Sequence, residues 1–391
     1  MELVILIGVA LALLFNFANG LNDAANSIAT IIATKALTPL QAVALAGIFN
    51  LVGPLLFTTA IAQTIGKGIV DPMFLTPPLI LVGLIGAVLW VFVTSYLGIP
   101  VSSSHALIGG LLGAGIAGAG VSAIRWPTLE IVELVVIYGL IGAVLGMAAL
   151  AALALYHKEP VSRYVALGAL IGVTLTFPVL IATGIIKISG ILAVLVFIVV
   201  SPMLGLISAF AFALIVVRTV RNYPPQRLNN IFRNLQIFSG SFQAIGHGSN
   251  DAQNAMGIIT ALLLAGGLIT EFSVPLWVIL ASAFAISLGT LLGGWRVIDK
   301  MANKITKIRP YQGFCASTSA GAVLSLMTAF GVPVSTTHAT TGAIMGVGAT
   351  RGYSAVKWGI VREIVAAWVL TIPAAAIVAW LCFLVYQAIW L

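Results

Sequence analysis

The sequence predicts an all-α polytopic membrane protein, with about twelve transmembrane helices in two inverted-topology repeats and with interrupted or re-entrant helices. Three observations predict it. Hydrophobic residues make up 61% of the 391 residues and charged residues only 7%, whereas soluble domains carry about 25% charged residues. The apolar residues fall in long runs, such as 190–217 and 361–391, and roughly 20 apolar residues span a bilayer as a helix. Two short polar motifs each occur twice, once in each half and in the same order.

The segments are justified in chain order. Apolar runs at 2–34, 40–64, 77–96, 101–120, 128–156 and 162–186 form a first set of six. A second set runs at 190–217, 235–265, 274–295, 311–330, 334–350 and 362–391. The first and eighth segments are long and are expected to break at their Gly/Asn/Asp clusters. The fourth and eleventh are short enough to be re-entrant. With the N-terminus outside, every Lys and Arg except Lys67, Arg125 and Lys187 falls on the inner side, as the positive-inside bias requires. Both termini are then extracytoplasmic. Residues 218–234 carry four Arg and no acid. They form a basic cytoplasmic linker between halves 1–217 and 235–391. The first segment has no basic residue ahead of it, unlike a cleavable signal peptide. The net charge of +8 reflects these inner loops and not a nucleic-acid surface. Cys315 and Cys382 lie in separate apolar segments and indicate neither a disulfide nor a metal site.

The repeats occupy approximately 15–120 and 242–350. Gly20-Leu21-Asn22-Asp23-Ala24-Ala25-Asn26 returns as Gly248-Ser249-Asn250-Asp251-Ala252-Gln253-Asn254, identical at five of seven positions. Pro100-Val101-Ser102-Ser103-Ser104-His105 returns as Pro333-Val334-Ser335-Thr336-Thr337-His338. A loop with one base in the first copy faces a loop with five bases in the second, so the copies are expected to be inverted. Inverted repeats that meet near the midplane are a common design of secondary transporters.

Of the ten carboxylates, only Asp23 and Asp251 lie well inside long apolar segments. An ionisable group at that depth is costly and marks a functional site. Each has Asn at −1 and +3, and residues three apart share a helix face. Asn22, Asp23, Asn26, Asn250, Asp251 and Asn254 are therefore candidate ligands for a hard cation such as Na⁺. The second motif reads as a helix start, with Pro fixing entry and Ser or Thr capping. A helix N-terminus with free N–H groups favours an anion. Ser102, Ser103, Ser104, Ser335, Thr336 and Thr337 are candidate ligands for one tetrahedral oxyanion held between the copies. No Lys or Arg is expected beside these motifs, so co-bound cations must balance the anion. His105, His247 and His338 either relay protons, bind the anion or bond to nearby backbone. There is no P-loop, so nothing indicates ATP drive, and the chain is not an enzyme.

The paired G-x-N-D-x-x-N and P-V-S-S/T-S/T-H elements resemble those of the inorganic phosphate transporter (PiT) family. The resemblance covers essentially the whole chain. It implies uptake of inorganic phosphate coupled to Na⁺ or H⁺ across the plasma (cell inner) membrane by alternating access. The partners would be phosphate, Na⁺ and the bilayer, in a possible homo-oligomer, with no nucleic acid and no cofactor beyond the coupling ion. Eukaryotic relatives often carry Glu in the span after each Asn-Asp motif. Here those positions read as Asn50 and Ser317. Three rival readings stay open: a transporter of another tetrahedral oxyanion such as sulfate, an anion channel, and H⁺ coupling through Asp23 and Asp251.

Overall fold

In the computed structural model, residues 2–186, 188 and 190–390 are described; Lys187 falls outside this set. The described chain folds into α-helices. They are α1 (Glu2–Ala33), α2 (Pro39–Leu56), α3 (Ala60–Gly68), α4 (Pro77–Leu97), α5 (Ser103–Ala119), α6 (Leu129–His157) and α7 (Val161–Ala182). They continue with α8 (Gly190–Val220), α9 (Pro225–Ala265), α10 (Leu276–Leu292), α11 (Trp295–Asp299), α12 (Pro310–Ala329), α13 (Thr336–Ala349) and α14 (Trp358–Trp390). Seven helices are long and apolar enough to cross a membrane, or eight if the bent pair at 276–304 is one span. The chain is thus a multi-pass membrane protein.

Two sequence expectations change. The first and eighth segments are not interrupted: α1 and α9 run unbroken through both Asn-Asp motifs. The physical reason lies in the motif glycines. A Cβ on Gly20 would strike the backbone carbonyl of Ile286 on α10, and one on Gly248 would strike that of Asn50 on α2. The glycines let helices approach closely instead of breaking them. The breaks fall between α2 and α3, and at Gly293 and Gly294, where the α10–α11 pair bends by 65°. The same contacts place Asn50 opposite Gly248 as Ile286 lies opposite Gly20. The counterpart of Asn50 therefore lies on α10, not at Ser317 on α12. The basic segment 218–234 takes regular structure. Most of it is helical, because α8 extends to Val220 and α9 begins at Pro225 after Pro224.

The packing follows a crossed pattern. α1 packs on α10 and α9 packs on α2, while α4 pairs with α5 and α12 with α13. Two further contacts match. Gly109 and Gly113 on α5 face the backbone carbonyls of Ile372 and Ala376 on α14. Gly342 and Gly346 on α13 face those of Pro202 and Leu206 on α8. The glycines four and eight residues after each His thus seat one long helix against each short one. α6 and α7 pair through Gly142, Gly146, Gly168 and Gly172, and α6 leaves most of its apolar side chains exposed. That is the expected surface of a helix facing lipid.

The close approaches can be tested by stability. Gly20→Ala and Gly248→Ala each force backbone apart, at a cost of about 1–3 kcal/mol. Each is expected to lower the thermal unfolding midpoint in detergent. Gly359→Ala on α14, where a Cβ meets open space, is expected to leave it unchanged or raise it.

Candidate functional site

Both short helices start as the sequence predicts. Ser102 caps α5 by accepting the His105 N–H at 3.3 Å, and Ser335 caps α13 by accepting that of His338 at 3.3 Å. These two hydroxyls are turned to their own backbones. The next two hydroxyls of each motif, Ser103, Ser104, Thr336 and Thr337, are free to face the Asn-Asp motifs, and all are buried.

The pairing crosses between halves. Asn26 Nδ2 lies 3.2 Å from Thr336 Oγ1 and 3.1 Å from Thr337 Oγ1. In the other copy Asn254 Nδ2 donates to Ser104 Oγ at 2.8 Å. Asn22 and Asn250 instead bond within their own halves, to Ser95 Oγ at 2.8 Å and Thr328 Oγ1 at 3.0 Å. Each motif thus ties its own half together with one Asn and reaches the opposite half with the other.

Asp23 and Asp251 meet at the centre. The Thr336 hydroxyl lies 3.2 Å from Asp23 Oδ2 and 3.1 Å from Asp251 Oδ2. It has one proton and can donate fully to only one of them at a time. Thr337 Oγ1 lies 3.1 Å from Asp23 Oδ1. Asn19 joins them: with its amide oriented to satisfy its neighbours, Nδ2 lies 2.9 Å from Ser103 Oγ, 3.2 Å from Asp23 Oδ2 and 3.3 Å from Asp251 Oδ2, and shares its two protons among them. His247 Nε2 is 3.4 Å from Asp251 Oδ2, and its Nδ1 is 3.0 Å from Asn50 Oδ1.

This arrangement fits a cation. Asp23, His247 and Asp251 offer ligand atoms that all lie within 4.8 Å of one another. Among the described residues, no Lys or Arg pairs with either carboxylate. Two buried anions side by side need a compensating positive charge. Asn22 Oδ1, Asn26 Oδ1 and Asp251 Oδ1 are buried and have no donor from the chain. Oxygens of this kind are the ligands hard cations take.

All twelve predicted site residues are buried. Ser102 and Ser335 are committed to capping; Asp23, Asn26, Asp251, Ser103, Thr336 and Thr337 join one cluster, while Ser104 pairs with Asn254, and Asn22 and Asn250 bond to Ser95 and Thr328. Sequence reasoning left Asn19, Asn50 and Gln243 out of the site, and left His247 without a role. A signal was available: Asn19 stands four residues before Asp23, as His247 stands four before Asp251. Those positions share a helix face with the acids. Gln243 donates to Asn26 O at 2.6 Å and to Thr340 Oγ1 at 2.9 Å. His105 and His338 meet edge to face, with ring centroids 5.0 Å apart. They lie just behind the hydroxyls.

Residues 19–153 and 129–379 match the phosphate transporter family. The chain belongs to that family. It is 43% identical over 376 residues to a probable low-affinity inorganic phosphate transporter of Rhizobium meliloti, covering 96% of this chain and 94% of that one. It is 35% identical to the protein so named in Bacillus subtilis, covering 97% and 96%. A solved structure described as the sodium-dependent phosphate transporter superposes with a TM-score of 0.70 at 27% identity and covers both chains fully. The family is one of transporters, not enzymes.

The crossed pairing makes a measurable prediction. In a double-mutant cycle, Asn254→Ala and Ser104→Ala are expected to be non-additive in stability by about 0.5–3 kcal/mol, the range for residues in direct contact. Asn254→Ala with Ser95→Ala, which share no bond, should be additive.

Proposed function

We propose that this phosphate transporter is a secondary active symporter that carries inorganic phosphate with Na⁺ across the cell membrane by alternating access. The observation that carries the reading is one buried cluster in which Thr336 and Thr337 of α13 contact the carboxylates directly and Ser103 of α5 joins them through Asn19. Asn22, Asp23, Asn26, Asn250, Asp251 and Asn254 hold the cations. Ser103, Ser104, Thr336 and Thr337 receive the phosphate, and Ser102 and Ser335 hold the two helix starts toward it. Cations neutralise the carboxylates and release the hydroxyls. Thr336 and Thr337, no longer drawn to Asp23 and Asp251, can then donate to phosphate oxygens. Phosphate without cations would face two bare carboxylates and be repelled. This linkage makes co-transport obligatory and does not require a basic side chain.

The proposal includes twelve membrane crossings in two inverted repeats, with halves 1–217 and 235–391. Both termini are extracytoplasmic and the basic segment at 218–234 is cytoplasmic. The solved relative described as sodium-dependent supports Na⁺ as the coupling ion. One observation favours a second reading, H⁺ coupling: where the first copy has Asn19, the second has His247, a proton acceptor beside Asp251.

Uptake of labelled phosphate into proteoliposomes separates the two readings. An imposed Na⁺ gradient at equal pH is expected to drive accumulation. A pH gradient without Na⁺ is not. Accumulation driven by the pH gradient alone would transfer the coupling role to H⁺. Asp23→Asn and Asp251→Asn are each expected to reduce Na⁺-driven uptake by about ten-fold or more, since each removes one buried charge from the cation site. The proteins should still insert. Na⁺ dependence that survives in both variants would make the pair a packing element.

A further inference from the structure

The two halves match around the site but differ in the routes leading away from it. Along α1, Asp23 and Asn26 are followed by Thr30 and Thr34 on the same face. Thr30 Oγ1 bonds to Ser317 Oγ at 2.7 Å, and Thr34 Oγ1 donates to Gln236 Oε1 at 2.6 Å. Gln243 lies between them and the motif, bonded to Thr340 at 2.9 Å. All six side chains are at most 1% exposed except Thr34, at 4%. Moving each residue to its counterpart in the other repeat changes its chemistry. Thr30 and Thr34 become Ile258 and Leu262, Gln243 and Gln236 become Phe15 and Gly8, and Ser317 and Thr340 become Leu84 and Leu107. Gly8 and Leu262 even touch where Gln236 and Thr34 bond. One route is a polar seam closed by side-chain hydrogen bonds, and its counterpart is packed hydrocarbon.

The polar seam ends at a cavity. Gln236 packs on Gly313 of α12, and one turn before it Phe232 lines a cavity of about 500 Å³. Arg221, Asn229, Arg309 and Tyr311 also line this cavity, together with the first residues of α9 and α12, Pro225 and Pro310. No carboxylate lines it. Among the described residues, neither Arg221 nor Arg309 is in an ion pair. The buried amide nitrogen of Gln236 and amide oxygen of Gln243 have no partner from the chain, so the seam has unused bonding capacity along its length.

We infer that this cavity is a second, weaker phosphate site, a vestibule on the face that carries the basic segment, and that the seam from Thr34 and Gln236 to Asp23 is the route joining it to the central site. This rests on the central-site reading above. Guanidinium groups bind phosphate oxygens strongly and in pairs. A basic mouth raises the local concentration of an anion, and the hydroxyls and amides of the seam offer it donors once their mutual bonds open. Phe232 stands between vestibule and seam, against Tyr311 and Phe314 with ring centroids 6.3 Å and 5.7 Å away. It must turn aside for passage. The opposite, apolar route opens by separation of packed helices and has no comparable intermediate stop.

Inside-out and right-side-out membrane vesicles test this. The double variant Arg221→Gln/Arg309→Gln is expected to raise half-saturating phosphate about ten-fold for entry from the basic face, the size of one lost charge-assisted bond. For entry from the opposite face the change should stay below about two-fold on the same basis. Arg221→Lys/Arg309→Lys should recover part of the loss. Arg227→Gln/Arg233→Gln removes the same charge at positions that do not line the cavity and should change neither face. Gln236→Leu should slow transport in both directions. Equal effects at both faces, or an equal effect of the Arg227/Arg233 pair, would overturn the vestibule. So would an effect seen only in proteoliposomes containing phosphatidylglycerol and not in pure phosphatidylcholine, which would make the cavity a lipid headgroup site. Entry from the opposite face is measured in the same preparations, so failure of the central site would be visible separately.

Discussion

Asp23 and Asp251 are buried around a single threonine hydroxyl, and among the described residues no Lys or Arg is bonded to either. A protein in a bilayer cannot hold two such charges bare. The rest of the site answers that constraint. Thr336, Thr337, Asn19 and His247 each turn toward the carboxylates, and Asn22 Oδ1 and Asn26 Oδ1 are buried beside these motifs without donors. Thr336 and Thr337, two of the four hydroxyls proposed for phosphate, are here drawn to the acids. In the proposed function, cation and phosphate would use the same atoms in sequence, so that coupling would follow from local chemistry instead of from a remote relay.

The helices support this geometry by crossing between halves. Gly20 lets α1 approach α10, and Gly248 lets α9 approach α2. The glycines after His105 and His338 seat α5 and α13 against α14 and α8. Because Asn26 and Asn254 both reach the opposite half, movement of one half against the other must break bonds inside the site. The two copies differ at matched positions: the polar residues Thr30, Thr34, Gln236 and Gln243 have apolar counterparts in Ile258, Leu262, Gly8 and Phe15.

Much of this was legible in the sequence because the motifs are duplicated. Seven of the apolar runs form helices long and apolar enough to cross a membrane, as hydropathy implies, and the capping roles of Ser102 and Ser335 followed from Pro-Val-Ser. The continuity of α1 and α9 was not legible. Glycine beside Asn and Asp signals a break in isolation, and only the carbonyls of Ile286 and Asn50 show that these glycines serve close packing. Asn19 and Gln243 were missed because a polar residue one turn from a motif looks like ordinary helix glue until the opposing helix is placed. The crossed pairing of Asn26 with Thr336 and Thr337, and of Asn254 with Ser104, is a tertiary fact that no local pattern encodes.

The most direct test is equilibrium binding of phosphate to the purified protein, with Na⁺ replaced by choline at constant pH and ionic strength. If the carboxylates and hydroxyls form one linked site, Na⁺ should tighten phosphate binding by a factor within about 5–150, and phosphate should tighten Na⁺ binding by the same factor. Phosphate affinity that is equal in Na⁺ and choline would contradict the account, because phosphate would then bind without regard to the charge on Asp23 and Asp251.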